Sequence, residues 1–149
     1  MRILDQKKIP YSSLQYDPEG GIDGISVAQK TGLPPEQVYK TLVTRGKSRG
    51  YFVFVIPVDA ELDLKKAAKS VNEKSVEMIH VKEINSVTGY IRGGCSPIGM
   101  KKAYPVVIHN AAENLQKITV SGGRIGSQIQ LSPRDLAAVV DASFTDLIK

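Results

Sequence analysis

Val38-Tyr39-Lys40-Thr41-Leu42-Val43 and, beyond a short basic loop, Tyr51-Phe52-Val53-Phe54-Val55-Ile56 decide how this chain folds. Both runs are dense in β-branched and aromatic residues, the composition that fits a pleated, half-buried surface. The second run has Gly50 before it and Pro57 after it, and its unbroken apolarity predicts a strand buried on both faces. The intervening Arg45-Gly46-Lys47-Ser48-Arg49 makes the pair a hairpin. Successive side chains alternate faces, so Val38, Lys40 and Leu42 share one. An ammonium between two apolar neighbours reaches water, finds a partner, or lines a cavity that holds something polar. A lysine that blunts an open sheet edge is the plain explanation; a lysine in a binding cavity is the functional one.

Outward from this hairpin, the pattern alternates irregularly between helix and strand. A short helix covers the first residues and ends before Pro10, and Tyr11 to Tyr16 alternates weakly as a strand. Ser26-Val27-Ala28-Gln29 has capping-box spacing for a helix that Gly32 stops, and Pro34-Pro35-Glu36-Gln37 suits the first turn of another. Leu64, Ala67, Ala68 and Val71 form an apolar stripe behind Asp63, a helix N-cap. Further strands are expected near Val76–Met78, Tyr90–Ile91, Val106–Ile108, Ile118–Val120 and Ile129–Leu131. A last helix opens at Ser132-Pro133-Arg134-Asp135 and carries Leu136, Val139 and Val140. This irregular mixture argues for an α+β (mixed α/β) fold and not a doubly wound one. With 149 residues and no linker, repeat or low-complexity tract, the expectation is one domain over 1–149.

Composition narrows the function classes. Apolar residues at 42% and charged ones at 23% are those of a water-soluble globular chain. No apolar run is long enough to cross a bilayer, and Met1-Arg2-Ile3-Leu4-Asp5-Gln6 lacks the apolar core of a signal peptide, so a cytoplasmic location and no membrane partner are expected. One cysteine cannot form an internal disulfide, which agrees with a reducing compartment. The net charge of +5 permits an anionic partner, and the basic residues gather at Arg45–Arg49, Lys65–Lys69 and Lys101-Lys102. Any one cluster taken alone reads better as a solvated turn or helix face.

Two glycine-rich turns follow expected strands: Gly93-Gly94-Cys95-Ser96-Pro97-Ile98-Gly99 and Ser121-Gly122-Gly123-Arg124-Ile125-Gly126. Glycines let backbone N–H groups approach an anion or a carbonyl, and they also serve simple tight turns. Neither stretch matches a Walker or dinucleotide-binding pattern. Cys95 has no histidine tied to it by spacing, His80 and His109 being the only two, and is read as a small structural apolar residue. The same shortage of Cys and His argues against a zinc site, and no cofactor is expected. An enzyme with this inventory acts through positioning, backbone donors and one cation, with the substrate contributing a reactive group.

The ordered strings Gly32-Leu33-Pro34-Pro35-Glu36-Gln37-Val38-Tyr39-Lys40-Thr41-Leu42, Glu61-Leu62-Asp63-Leu64-Lys65-Lys66-Ala67-Ala68-Lys69, Thr88-Gly89-Tyr90-Ile91-Arg92-Gly93-Gly94-Cys95-Ser96-Pro97-Ile98-Gly99 and Val120-Ser121-Gly122-Gly123 closely resemble the YbaK/EbsC family across essentially the whole chain. The resemblance implies a mixed fold centred on a six-stranded barrel-like sheet surrounded by helices, shared with the editing domain of bacterial prolyl-tRNA synthetases. It also implies an activity: trans-editing deacylation of mischarged Cys-tRNA(Pro), in transient company with tRNA(Pro) and prolyl-tRNA synthetase. The substrate's own thiol would attack the ester and leave as a cyclic thiolactone. Lys40 matches the family's key lysine, the catalytic candidate. Tyr16, Thr41, Gly93, Gly94, Ser96, Ser121, Gly122, Gly123 and Gln128 fall at substrate-binding positions. Arg45, Lys47, Arg49, Lys101 and Lys102 are candidates for tRNA phosphates. The family pattern has an aspartate where this chain has Gln128. That departure keeps open a deacylase for another small amino acid, such as Ala-tRNA(Pro). A tRNA- or synthetase-binding module with little catalysis is the reading from a different class.

Overall fold

The computed structural model describes residues 1–149. The hairpin is present as β2 (Tyr39–Gly46) and β3 (Tyr51–Pro57), antiparallel, with Lys40 opposite Ile56 and Leu42 opposite Phe54. Its turn closes through Gly46 N–H donating to the Gly50 carbonyl at 2.8 Å, with Arg49 in the left-handed region at φ 72°. Strand β3 is central: β5 (Val106–His109) pairs parallel to its other edge and β8 (Ser143–Thr145) runs parallel to β5. On the far side of β2, β4 (Val76–Met78) pairs only with Thr44–Gly46. The first half of β2, which holds Lys40, is therefore not covered by β4.

A second, antiparallel sheet has the order β1 (Ser12–Gln15), β7 (Ser127–Leu131), β6 (Ile118–Ser121). It meets the first where Val38 bridges Thr119 in parallel fashion. The expected single six-stranded barrel is thus replaced by sheets of five and three strands joined at that point. The main core lies between them, with Val43, Val53, Val55 and Ile108 from one sheet against Ile118, Val120, Ile129 and Leu131 from the other. The opposite face of the larger sheet packs Phe54 and Ile56 against Ala67 and Ala68 of α3 (Leu64–Ser70). Leu42 packs into that second cluster, so the alternation along β2 sends Leu42 and Val43 to different cores, as the pleat requires.

Asp63 caps α3 by accepting from the N–H groups of Lys65 and Lys66, and Ser132 caps α5 (Pro133–Val140), both as the sequence predicts. The helix ahead of the hairpin, α2 (Gly24–Thr31), begins earlier than the Ser26 capping-box spacing predicts. Asp23 is its cap, accepting from Ser26 N–H at 2.9 Å, and Ser26 is the donor. Gly32 ends it at φ 71°, as expected. Tyr90–Ile91 is loop and not strand, because α4 (Ile84–Thr88) stops at left-handed Gly89 immediately before it. Neither α4 nor β8 was legible, each being too short to establish a period. No helix is long and apolar enough to cross a membrane.

Candidate functional site

Where the two sheets part beside Val38, the surface opens into a cavity of about 520 Å³. Strand β2 supplies Tyr39, Lys40 and Thr41, and the smaller sheet supplies Ser121 from the end of β6 and Gln128 from β7. Gln128 is held opposite Ser121 by the ladder and is buried. The 92–95 loop contributes Arg92, Gly93 and Cys95, and the start of α2 contributes Asp23 and Gly24.

Lys40 takes part in none of the chain's ion pairs or side-chain hydrogen bonds, and it is half-buried. Burial lowers its pKa below the ordinary 10.5, while Glu61 and then Asp59 push it back up. It remains a cation held close to carboxylates that do not neutralise it by contact. Two neighbouring hydroxyls, Tyr39 Oη and Thr41 Oγ1, are buried without a hydrogen-bond partner. Tyr39 is pushed up to about 12 by burial, with Asp59 adding to the shift, so its phenol stays protonated at neutral pH. Cys95 is pushed up to about 11 by burial, against a smaller opposing hydrogen bond with Thr88. A thiol held so high presents little thiolate and is a poor nucleophile. His109 is buried at the end of β5, its Nδ1 accepting from Leu147 N–H at 3.2 Å, and takes no part in the cavity.

The cavity therefore gathers Lys40, Thr41, Gly93, Ser121 and Gln128 from the predicted set. Tyr16, Gly94, Ser96, Gly122 and Gly123 do not line it. Each has a packing role. Tyr16 is buried with Lys30 Nζ 5.8 Å from its ring centre, and its N–H donates to Gly126 at 3.0 Å. Ser96 is fully buried and its Oγ accepts from Ile98 N–H at 3.2 Å, shaping the turn. Gly94 lets the two glycine loops touch: a Cβ there would lie 2.9 Å from Arg124 Cα. Gly122 similarly makes room for Ser127, and Gly123, at φ 103°, for the ring of Tyr90.

The basic candidates divide. Arg45 is committed, with its guanidinium 2.8 Å from Glu83 Oε1 and 5.5 Å from the Tyr51 ring centre. It sits five residues along β2 from Lys40, roughly 17 Å at the usual rise per residue. Lys47 and Arg49 lie beyond it in the hairpin turn, while Lys101 and Lys102 are exposed after the 93–99 loop. None of the five lines the cavity. Arg92, Asp23 and Gly24 do, and sequence reading missed them as site residues. Arg92 was hidden in what looked like the end of a strand, and Asp23 by the helix start being placed at Ser26.

The chain is similar to known proteins over nearly its whole length. The model of the aminoacyl-tRNA editing domain matches residues 23–139, which include every lining residue but Ile22. A protein of Enterococcus faecalis assigned as the Cys-tRNA(Pro)/Cys-tRNA(Cys) deacylase EbsC is 43% identical over 148 residues, covering 99% of this chain and 90% of its own length. The proline–tRNA ligase of Fervidobacterium nodosum is 28% identical over 96 residues, 64% of this chain and 16% of the ligase. A crystal structure described as a trans-editing enzyme for prolyl tRNA synthetase superposes with a TM-score of 0.85 at 23% identity, covering 99% of this chain and 93% of that one, and so shares the fold. Sequence strings, two-sheet architecture and family model together place the chain in one group: it belongs to the aminoacyl-tRNA editing domain family.

Proposed function

We propose that this protein is an aminoacyl-tRNA deacylase that clears Cys-tRNA(Pro) in trans, in the cytoplasm alongside prolyl-tRNA synthetase. The observation that carries the reading is Lys40: a cation with no partner in contact, in a cavity whose one thiol is held protonated and whose wall has no histidine. Such a site offers electrostatic stabilisation without a protein nucleophile. The close relative assigned as a Cys-tRNA deacylase supports the choice of substrate.

The chemistry then comes from the substrate. Its thiol sulfur attacks the ester carbonyl carbon, and the carbonyl oxygen gathers negative charge next to the Lys40 ammonium. The carbon–oxygen bond to the terminal ribose breaks, and the ribose oxygen ends with the proton that the thiol gives up. A cyclic thiolactone leaves, to be opened by water. Holding the ester and thiol in one closed conformer is the entropic part of the catalysis. Gln128, a neutral side chain in the cavity wall, makes alanine the substrate to compare.

Deacylation of purified Cys-tRNA(Pro) and Ala-tRNA(Pro) by the wild type and by Lys40→Ala tests this. We expect turnover of the cysteinyl substrate and its severe loss in the variant. Preference for the alanyl ester would overturn the substrate-thiol route, and tRNA binding without turnover of either would make the protein a binding module.

A further inference from the structure

Three charged residues line the cavity: Lys40, Arg92 and Asp23. The first two are cations, suited to a carbonyl oxygen and a phosphate. Asp23 is the single carboxylate in the wall, and an aminoacyl ester has a single cationic group, its α-ammonium. From this complementarity we infer that Asp23 is the receptor for the substrate's α-ammonium, a specificity-determining residue for aminoacyl over acyl esters. The inference rests on the deacylase reading for the identity of the ester.

The local structure holds the carboxylate in place. Its Oδ1 accepts from Ser26 N–H at 2.9 Å and its Oδ2 from Ser26 Oγ at 2.9 Å, so both oxygens are fixed in direction. Each retains a second acceptor lone pair. The next residue, Gly24, packs so tightly on Val58 that a Cβ there would collide with its side chain. Val58 in turn donates its N–H to the Val38 carbonyl at 2.8 Å, two residues before Lys40. A short chain of contacts thus ties the carboxylate to the strand that bears the catalytic candidate. The Ser26 hydrogen bonds also hold the Asp23 carboxyl below its ordinary range, so it is ionised at neutral pH.

Capping explains the residue's hydrogen bonds, and the positive end of the helix dipole favours its charge, but neither requires an acid there. Asn and Ser cap helices about as well as Asp, and neither attracts an ammonium. Asp23→Asn and Asp23→Ser therefore separate the two roles. The probes are stable 3′-amide analogues of the aminoacyl end: cysteinyl-aminodeoxyadenosine, and its 3-mercaptopropionyl counterpart, which lacks only the amine. Calorimetric titration should show the wild type binding the cysteinyl compound about tenfold more tightly than the deamino one. Both variants should keep their thermal unfolding within a few degrees and bind the two compounds equally. Retention of the amine preference by either variant would overturn the assignment, as would its absence from the wild type. Turnover of Cys-tRNA(Pro), measured in parallel, judges the deacylase reading by itself. Amine preference without turnover would leave the receptor standing and sink the deacylase; turnover without amine preference would do the reverse.

Discussion

The two ends of β2 carry one exposed-looking cation each, and the fold treats them oppositely. At the hairpin end, Arg45 has a carboxylate at 2.8 Å and an aromatic face, and hydrogen bonds from its guanidinium to Tyr51 and then to Glu83 raise its pKa. At the other end, Lys40 has no partner in contact, and burial lowers its pKa. A matched cation stabilises a fold modestly; a half-buried unmatched one costs free energy and persists only where something else is gained. The same strand thus separates a charge that the fold has paired from one that it has left unpaired. The difference lies in what surrounds each charge, which residue type alone does not reveal.

The sharpest way to break this contrast is Lys40→Ala. Loss of one preorganised charge at a developing oxyanion should lower kcat for deacylation about a hundred- to a thousand-fold, while urea unfolding shows no loss of stability. A destabilised variant with normal kcat would make Lys40 the structural charge. The contrast also has a pH signature. Because the folded pKa of Lys40 lies below its unfolded value, the folded chain binds fewer protons than the unfolded chain between those two values. Lys40 therefore makes stability rise as pH climbs through that window and up to the ordinary 10.5. Removing the side chain should flatten that rise. In the same window the Lys40-dependent rate should fall as the cation is lost.

Long, strongly patterned segments made much of this legible in advance. The β2–β3 hairpin, α3 with its Asp63 cap, and α5 behind Ser132 all follow from periodicity and capping chemistry. Lys40 was identifiable from the sequence as a charge on an apolar strand face. What stayed hidden depends on contacts distant in sequence. Nothing local says that β4 covers only Thr44–Gly46, that Val38 bridges Thr119, or that Glu83 claims Arg45 from 38 residues away. The glycine loops were legible as special, yet Gly94 serves the contact between loops while Gly93 reaches the cavity, a distinction that needs both loops in place.

That distinction gives the next largest effect. Gly94→Ala puts a methyl 2.9 Å from Arg124 Cα, against backbone that cannot yield cheaply. We expect about 1–3 kcal/mol of destabilisation in chemical unfolding, with activity lost in proportion as the two loops separate. Arg45→Ala sharpens the comparison from the other end of β2. Its ion pair is partly exposed, so the loss of stability should be small beside that of Gly94→Ala, with kcat unchanged. A fall in kcat as large as that of Lys40→Ala would erase the distinction between the two ends.

The smallest effect is expected at Cys95, which stands in the same wall as Lys40 and shows that lining a cavity does not confer a chemical role. Burial pushes its thiol up to about 11, so at neutral pH about one molecule in ten thousand carries the thiolate. Iodoacetamide, which reacts with thiolates, should therefore modify the native protein far more slowly than the unfolded one. Cys95→Ser nearly preserves volume and keeps a polar atom close to the Thr88 side chain. It should keep most of the deacylation rate and shift unfolding by no more than about 1 kcal/mol. Rapid alkylation at pH 7, or a folded Cys95→Ser protein without activity, would mean that the cavity holds a nucleophile after all, and the substrate's thiol would no longer be needed to explain how the ester is broken.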